Sequence, residues 1–304
     1  MYVLVPIIAI AFSWKVLSVC FAYHLGHQQV TTKSASSFSV MSYNVRLLDF
    51  YHWSDDKDTR NKMLDFFKEK DATILCLQEF YSTNSKTGVN NIKAIQEACN
   101  YEYVAECNMQ VTKRGKWGSV IFSHLPIINT KNYEIDVQSG NLLQRADIVQ
   151  SSDTFSMYNI HMKSNKLSKT ESELLSSKDI PSLSESNLSK SKSIFKKLYE
   201  NSANRGLESD IIASVIKQHN RPAIVCGDLN DIPSSYVYFT VRDSLQDAFL
   251  QKGFGIGRTY RNSLPLFRID YIFFHPHFSL KGFETISVPY SDHDPLPANF
   301  SLSL

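Results

Sequence analysis

An α/β layered fold is what this 304-residue sequence predicts, and three observations carry the prediction. Short apolar runs rich in Val, Ile, Tyr and Phe recur along the chain, as buried strands require. Between them lie segments whose apolar residues repeat at helical spacing, and strands interleaved with helices favour layers of both. Composition agrees: 43% hydrophobic and 20% charged residues suit a globular protein with a substantial core.

Residues 1–26 read as a membrane anchor or signal helix. Residues 1–23 are apolar apart from Ser13, Lys15 and Ser18, close to the length of a membrane helix. Lys15 would cost roughly 2.5–3.5 kcal/mol at a helix centre unless it snorkels. A cleaved export signal is the alternative, but no Lys or Arg precedes the apolar run and no clear small-residue cleavage site follows it. Leu17-Ser18-Val19-Cys20 resembles a lipoprotein box only faintly, and a simple buried helix is the third reading. Residues 27–37 are polar and read as a linker, and residues 38–304 as one catalytic domain.

Within that domain, residues 38–45 alternate as a strand and carry Asn44 at the tip. Met63, Leu64, Phe66 and Phe67 share a helical face in residues 60–70. A buried strand at 72–77 runs into Gln78 and Glu79, residues 91–99 are helical, and strands follow at 119–122 and at 156–160, the last ending at His161. Residues 164–193 hold eleven serines and read as a surface insertion too polar to offset chain entropy. Helical spacing returns over 193–216 and leads into AIVCGDLNDI at 223–232. There a buried strand ends abruptly, and Asp228 and Asn230, two apart, project to the same side. A short helix or turn is expected at 244–249, a glycine loop at Gly253, Gly255 and Gly257, and strands at 268–274, carrying Asp270, and 298–302.

Net charge is +2, too mild to argue for or against a polyanionic partner. Five cysteines without CxxC spacing argue against a disulfide framework or a zinc site, and Cys76 and Cys226 read as small core residues.

Asn44, Glu79, His161, Asp228 with Asn230, Asp270, and Asp292 with His293 nearly all stand where an apolar run ends. Singly, each reads as a cap, an ion pair or a satisfied histidine. Jointly, they make a functional edge. Glu79 and Asp292 are hard oxygen donors and Asn44 offers a carbonyl oxygen, a set that suits magnesium, with Mn2+ as a substitute. The histidines suit acid–base work, and Asp270 could orient His293. Phosphodiester hydrolysis uses such parts.

In order, SYNVR, LQEF, GSVIFSHLPI, NIHMKS, VCGDLNDIP, RIDYIFF and SDHDPL resemble the signature of the endonuclease/exonuclease/phosphatase family. The resemblance runs from about Phe38 to the C-terminus. It implies a four-layer α/β sandwich: two mixed β-sheets face to face, helices outside, and the site at one edge. It implies a divalent metal held by Asn44 and Glu79 with Asp292 close by. Asp228 would orient or deprotonate the attacking water and Asn230 would help hold it. His293, held by Asp270, would act on the phosphate, and His161 would stabilise it or assist the leaving group. Arg46 and Tyr260 would contact substrate. With the N-terminal segment, the NVR and HMKS forms resemble membrane-tethered bacterial members, so a location at the bacterial envelope is expected.

Three functions remain open on sequence. The leading one is a magnesium-dependent phosphodiesterase of nucleic acid. The second is the same chemistry on a phospholipid or inositol phosphate. The third is an anchored binding module without turnover. No protein partner is inferred.

Overall fold

Alternation along the strand that ends at Asn44 sends its side chains into two different cores. In the computed structural model, which describes residues 11, 13–24, 37–85, 88–136, 141–164, 185–261 and 268–302, this strand is Ser37–Asn44, preceded in the chain by a short one, Ala22–Tyr23. We label them β2 and β1. The others, in order, are β3 (Ile74–Ser82), β4 (Tyr103–Thr112), β5 (Gly115–Ser123), β6 (Ile127–Asp136), β7 (Asn141–Gln150) and β8 (Asp153–His161). Then come β9 (Ala223–Asp228), β10 (Gln246–Asp247), β11 (Phe254–Gly255), β12 (Asp270–Phe274), β13 (Phe278–Phe283) and β14 (Leu296–Leu302).

Two six-stranded sheets result, ordered β13-β14-β2-β3-β5-β4 and β10-β12-β9-β8-β7-β6. Each is mixed: β2 and β3 are parallel in the first, β8 and β9 in the second, and the remaining pairs are antiparallel. Phe38, Val40, Ile74 and Cys76 of the first sheet meet Phe155, Met157, Ile224, Cys226 and Ile272 of the second in a shared core. The alternate residues Met41, Tyr43, Leu75 and Leu77 face outward, onto Met63, Phe66 and Phe67 of the helix Thr59–Lys70 and Ile95 of the helix Asn91–Cys99. On the other side Tyr158, Ile160, Val225 and Tyr271 pack with Ile212 of the helix Glu185–Gln218 and Val237 and Val241 of the helix Tyr236–Arg242. This is a helix–sheet–sheet–helix sandwich built by period-two alternation. Full burial of each such apolar side chain contributes about 1.5–3 kcal/mol.

Gly227 is needed where β9 presses against β8. Its φ is +132°, and a Cβ there would lie 2.0 Å from the Ile160 carbonyl oxygen. Any side chain would push Asp228 away from His161.

Several elements differ from expectation. Strand β3 does not stop at Glu79 but continues to Ser82, with its pairing register shifted between Leu77 and Phe80. Strands β4, β6, β7 and β13 and the helix Tyr236–Arg242 were not evident in the sequence. Most of β6 is exposed, so it lacks an apolar face. Buried Gln144, Arg145 and Asp147 disguise β7; Asp147 takes Ser156 Oγ at 2.8 Å and Arg145 Nη2 at 3.3 Å. Of the serine-rich stretch expected as a surface insertion, residues 165–184 lie outside the described residues, while 185–193 belong to the long helix that runs on to Gln218.

The expected hydrophobic helix over residues 1–26 is also corrected. Residues 1–10, 12, 25 and 26 lie outside the described residues, as do 27–36 of the linker. Residues 13–17 are helical and give way to β1, which pairs antiparallel with β11. Val19 and Ala22 are buried, and Arg268 Nη2 donates to the Val19 carbonyl at 2.7 Å. This segment is part of the domain. Among the described residues no helix is long and apolar enough to cross a membrane.

Candidate active site

Where the inter-sheet core ends, its inward-facing rows turn polar. Asn44 follows Val40 and Ser42 in β2, His161 follows Met157 and Asn159 in β8, Asp228 follows Cys226 in β9, and Asp270 precedes Ile272 in β12. His161 is opposite Asp228 in the parallel β8–β9 pair, and Asp228 is opposite Asp270 in the antiparallel β9–β12 pair. Register alone therefore lines up a histidine and two carboxylates. On the facing sheet Asn44 pairs with Gln78, one residue before Glu79. The site lies outside the carboxyl ends of both parallel pairs, where α/β sheets generally bind ligands.

Two histidines converge on Asp228. His293 Nδ1 lies 2.9 Å from Asp270 Oδ2, and its Nε2 lies 3.7 Å from Asp228 Oδ2. His161 Nε2 is 3.9 Å from the same oxygen and 3.3 Å from Glu79 Oε1. Burial disfavours an imidazolium at His293, but Asp270 and Asp228 outweigh it and raise its pKa to about 10. Burial and the neighbouring Asp270 push the Asp228 carboxyl up to about 6. Desolvation also opposes charge on Glu79, yet His161, His293 and Asn44 hold its pKa at about 2. His161 is raised in turn, because Glu79 and Asp228 overcome its burial. His161 Nε2 is nevertheless buried without a well-formed hydrogen bond, a donor aimed into the site.

Asn230 organises Asp228. Its backbone N–H donates to Oδ1 at 2.8 Å and its side-chain amide to Oδ2 at 3.2 Å, while the same amide reaches the Met162 carbonyl at 2.9 Å. Its φ of +52° makes this geometry reachable, and asparagine tolerates the left-handed region better than most residues.

The expected metal donors are brought to the same edge in unequal roles. Asn44 Nδ2 donates to Asp228 Oδ2 at 3.1 Å and to Glu79 Oε1 at 3.3 Å, while its Oδ1 accepts the Arg46 N–H at 3.1 Å. Offering the carbonyl oxygen to a cation requires the amide to turn over. Asp292 Oδ2 stands 3.5 Å from Arg46 Nε. Asp228, Asp270 and His293 bring three ligand atoms within 4.8 Å of one another, but an imidazolium at His293 is no ligand. Hard carboxylate oxygens on the Glu79 and Asp292 side, without thiolates, fit a hard divalent cation. The raised Asp228 carboxyl also signals excess negative charge for one to offset. Tyr260 closes the far side, its ring centroid 4.9 Å from that of His293.

Beyond Asn44 the backbone winds left-handed. Arg46, Leu47, Leu48 and Asp49 have φ of 44°, 57°, 51° and 56°. Each non-glycine residue there costs about 1–2 kcal/mol. Buried Leu48 and Asp49 hold the turn, with Asp49 accepting from the Ser54 N–H at 3.1 Å and from its hydroxyl. Strain of this kind clusters at functional sites.

Sequence reasoning missed the support behind these groups. Gln78 and Asn159 bridge the sheets, Ser291 Oγ donates to the Asn44 carbonyl at 2.8 Å, and Thr259 Oγ1 accepts the Asp270 N–H at 3.1 Å. Only the adjacency of Gln78 to Glu79, and of Asn159 to His161 two residues on, could have flagged the first pair.

A family model described as the endonuclease/exonuclease/phosphatase family matches residues 41–293. No curated protein sequence matches the chain. Among solved structures, an endonuclease/exonuclease/phosphatase from Beutenbergia cavernae DSM 12333 is similar with TM-score 0.62 at 14% identity, over 88% of this chain and 72% of that one. The human Nocturnin catalytic domain with bound sulfate anion gives 0.61 at 16%, over 88% and 95%. A mannosyl-6-phosphatase from Bacteroides thetaiotaomicron VPI-5482 gives 0.59 at 15%, over 87% and 100%.

Proposed function

The chain belongs to the endonuclease/exonuclease/phosphatase family, whose members are hydrolases acting on phosphoester bonds, and from that premise we propose that it is a divalent-metal-dependent phosphodiesterase of nucleic acid. The observation that carries this reading is the approach of two imidazoles to one carboxylate oxygen: His161 and His293 Nε2 lie 3.9 and 3.7 Å from Asp228 Oδ2. One base flanked by two cationic donors matches in-line attack of water on a phosphodiester.

In this mechanism Asp228 takes the proton of the attacking water, and a carboxyl near pKa 6 suits that task at neutral pH. Asn230 fixes the direction of its lone pairs. His293, kept as imidazolium by Asp270, stabilises the negative oxygens of the transition state. His161 donates from Nε2 toward the leaving oxygen as the P–O bond breaks. Glu79, with Asn44 and Asp292, would hold Mg2+, which neutralises phosphate charge when bound. Arg46 and Tyr260 contact the substrate at the rim.

One observation favours a second reading, a phospholipid or inositol-phosphate substrate at a bacterial envelope membrane. Exposed Trp14, Leu17, Tyr23 and Ile256 line an apolar surface cavity of about 930 Å³ beside the docked N-terminal segment, as an interfacial surface would. Nicking of supercoiled plasmid by the full chain in Mg2+, beside EDTA and His293→Ala controls, tests the first reading. Nicking that survives His293→Ala sinks the mechanism. No nicking by a folded sample that cleaves phospholipid vesicles replaces the first reading with the second.

A further inference from the structure

Both strands that carry metal-donor candidates lead directly into aromatic residues at the surface. Past Asn44, the left-handed turn delivers Phe50, Tyr51 and Trp53, which remain 44%, 57% and 45% exposed. Past Glu79, β3 delivers Tyr81. The rings form a connected ladder. The Arg46 guanidinium lies 4.5 Å over Trp53, the Trp53 and Tyr51 centroids are 5.1 Å apart, and Tyr51 and Phe50 are 5.0 Å apart. Phe50 then meets Tyr81 at 4.3 Å, and Tyr81 meets Trp117 at 5.0 Å. Trp117 stands on the β4–β5 hairpin, whose tip exposes Lys113 and Arg114, and the Tyr81 hydroxyl is fastened to the Arg114 carbonyl at 2.9 Å.

We infer that this ladder is a base-stacking track for single-stranded nucleic acid, running from the catalytic edge at Arg46 to the basic hairpin at Lys113 and Arg114. The inference deepens the nucleic-acid reading of the site and rests on it. Every base offers a π face, so a row of exposed rings holds successive bases without reading sequence. In a duplex those faces are already stacked on each other, which restricts the track to single strands. Charge gives the path its direction. Asp55, Asp56 and Asp58 follow Trp53 in the chain and repel a polyanion there, while the hairpin cations at the opposite end attract one. Arg46, held by Asp292 and stacked on Trp53, joins the track to the scissile phosphate. An anionic backbone with stacked bases complements both the rings and the terminal cations; a lipid bilayer would use the rings alone.

The test compares kcat/KM of the full chain for a single-stranded oligonucleotide, the same oligonucleotide in a duplex, and bis(p-nitrophenyl) phosphate, which has no base. The wild type is expected to prefer the single strand. Tyr51→Ala should lower kcat/KM for the oligonucleotide about 5–100-fold more than for the base-free diester, mostly through KM, and Tyr51→Phe should restore it. Equal loss on both substrates, or none, overturns the track while leaving the nuclease reading intact. A wild type that cleaves the base-free diester but no oligonucleotide overturns the nuclease reading itself. If Tyr51→Ala instead weakens sedimentation with phosphatidylcholine vesicles and leaves oligonucleotide kinetics alone, the rings meet lipid and the inference is wrong.

Discussion

Gln78 and Asn159 join the two sheets through one hydrogen bond of 2.7 Å, directly beneath the catalytic edge. Gln78 also donates to Ser42 Oγ at 3.1 Å, and Asn159 donates to the Leu77 and Val120 carbonyls at 3.1 and 3.3 Å. Glu79 is the residue after one, and His161 lies two after the other. The staple therefore sets the gap between a metal donor and a phosphate donor on different sheets.

Asn159→Ala should strand several buried groups at once, each costing about 1–3 kcal/mol, so urea unfolding should show a loss of roughly 3 kcal/mol or more. Gln78→Leu combined with Asn159→Leu should cost clearly less than the two single changes added, because both polar partners leave together. Strict additivity would mean that the two amides do not act as a unit.

Asp270 acts on the reaction through His293. Asp270→Asn keeps the shape but removes the charge that sustains an imidazolium beside Asp228. Loss of the orienting carboxylate should lower kcat about 10²–10⁴-fold, with little change in KM or in melting temperature. A kcat within threefold of wild type would remove His293 from its proposed role.

Chelation should abolish activity, and Mg2+ or Mn2+ should restore it, since the oxygen donors of Glu79 and Asp292 suit hard cations. Glu79→Gln should raise the Mg2+ concentration for half-maximal rate at least about tenfold by removing one anionic donor. Undiminished hydrolysis in EDTA would show that the histidines and Arg46 supply all the positive charge.

Much of this edge was legible because side-chain alternation is local. Once AIVCGD is a buried strand, Asp228 must share a face with Cys226, and the same holds for Asp270 with Ile272. The aspartate–histidine pairing was also anticipated from residue types, and the distance of 2.9 Å between His293 and Asp270 agrees. The bulge that carries Glu79, the inward turn of Gln78 and the left-handed course after Asn44 were not legible. They depend on neighbours from other strands, and no local propensity favours four consecutive non-glycine residues at positive φ. Strand β6 escaped for a related reason: its pairing with β7 holds it in place, and no apolar periodicity announces it. The N-terminal segment misled because its hydrophobicity was read as a membrane signal, whereas Val19 and Ala22 fill this domain's own core.

Arg268 tests that last point. Its guanidinium is fully enclosed, 2.7 Å from Asp247 Oδ2 through Nη1 and 2.7 Å from the Val19 carbonyl through Nη2, with the Phe249 ring 4.5 Å away. It thus ties the chain before β1 to the edge of the second sheet. Arg268→Met leaves Asp247 without its cation, although the Tyr238 hydroxyl still donates to it at 2.8 Å. Breaking a buried pair in this way should cost about 3–5 kcal/mol. Hydrogen exchange then separates local from global effects. The Val19–His24 amides should lose protection first, while β9 keeps its own until the whole domain opens. Unchanged protection over Val19–His24 would mean that β1 is held by its pairing with β11 alone, and that Arg268 serves only Asp247.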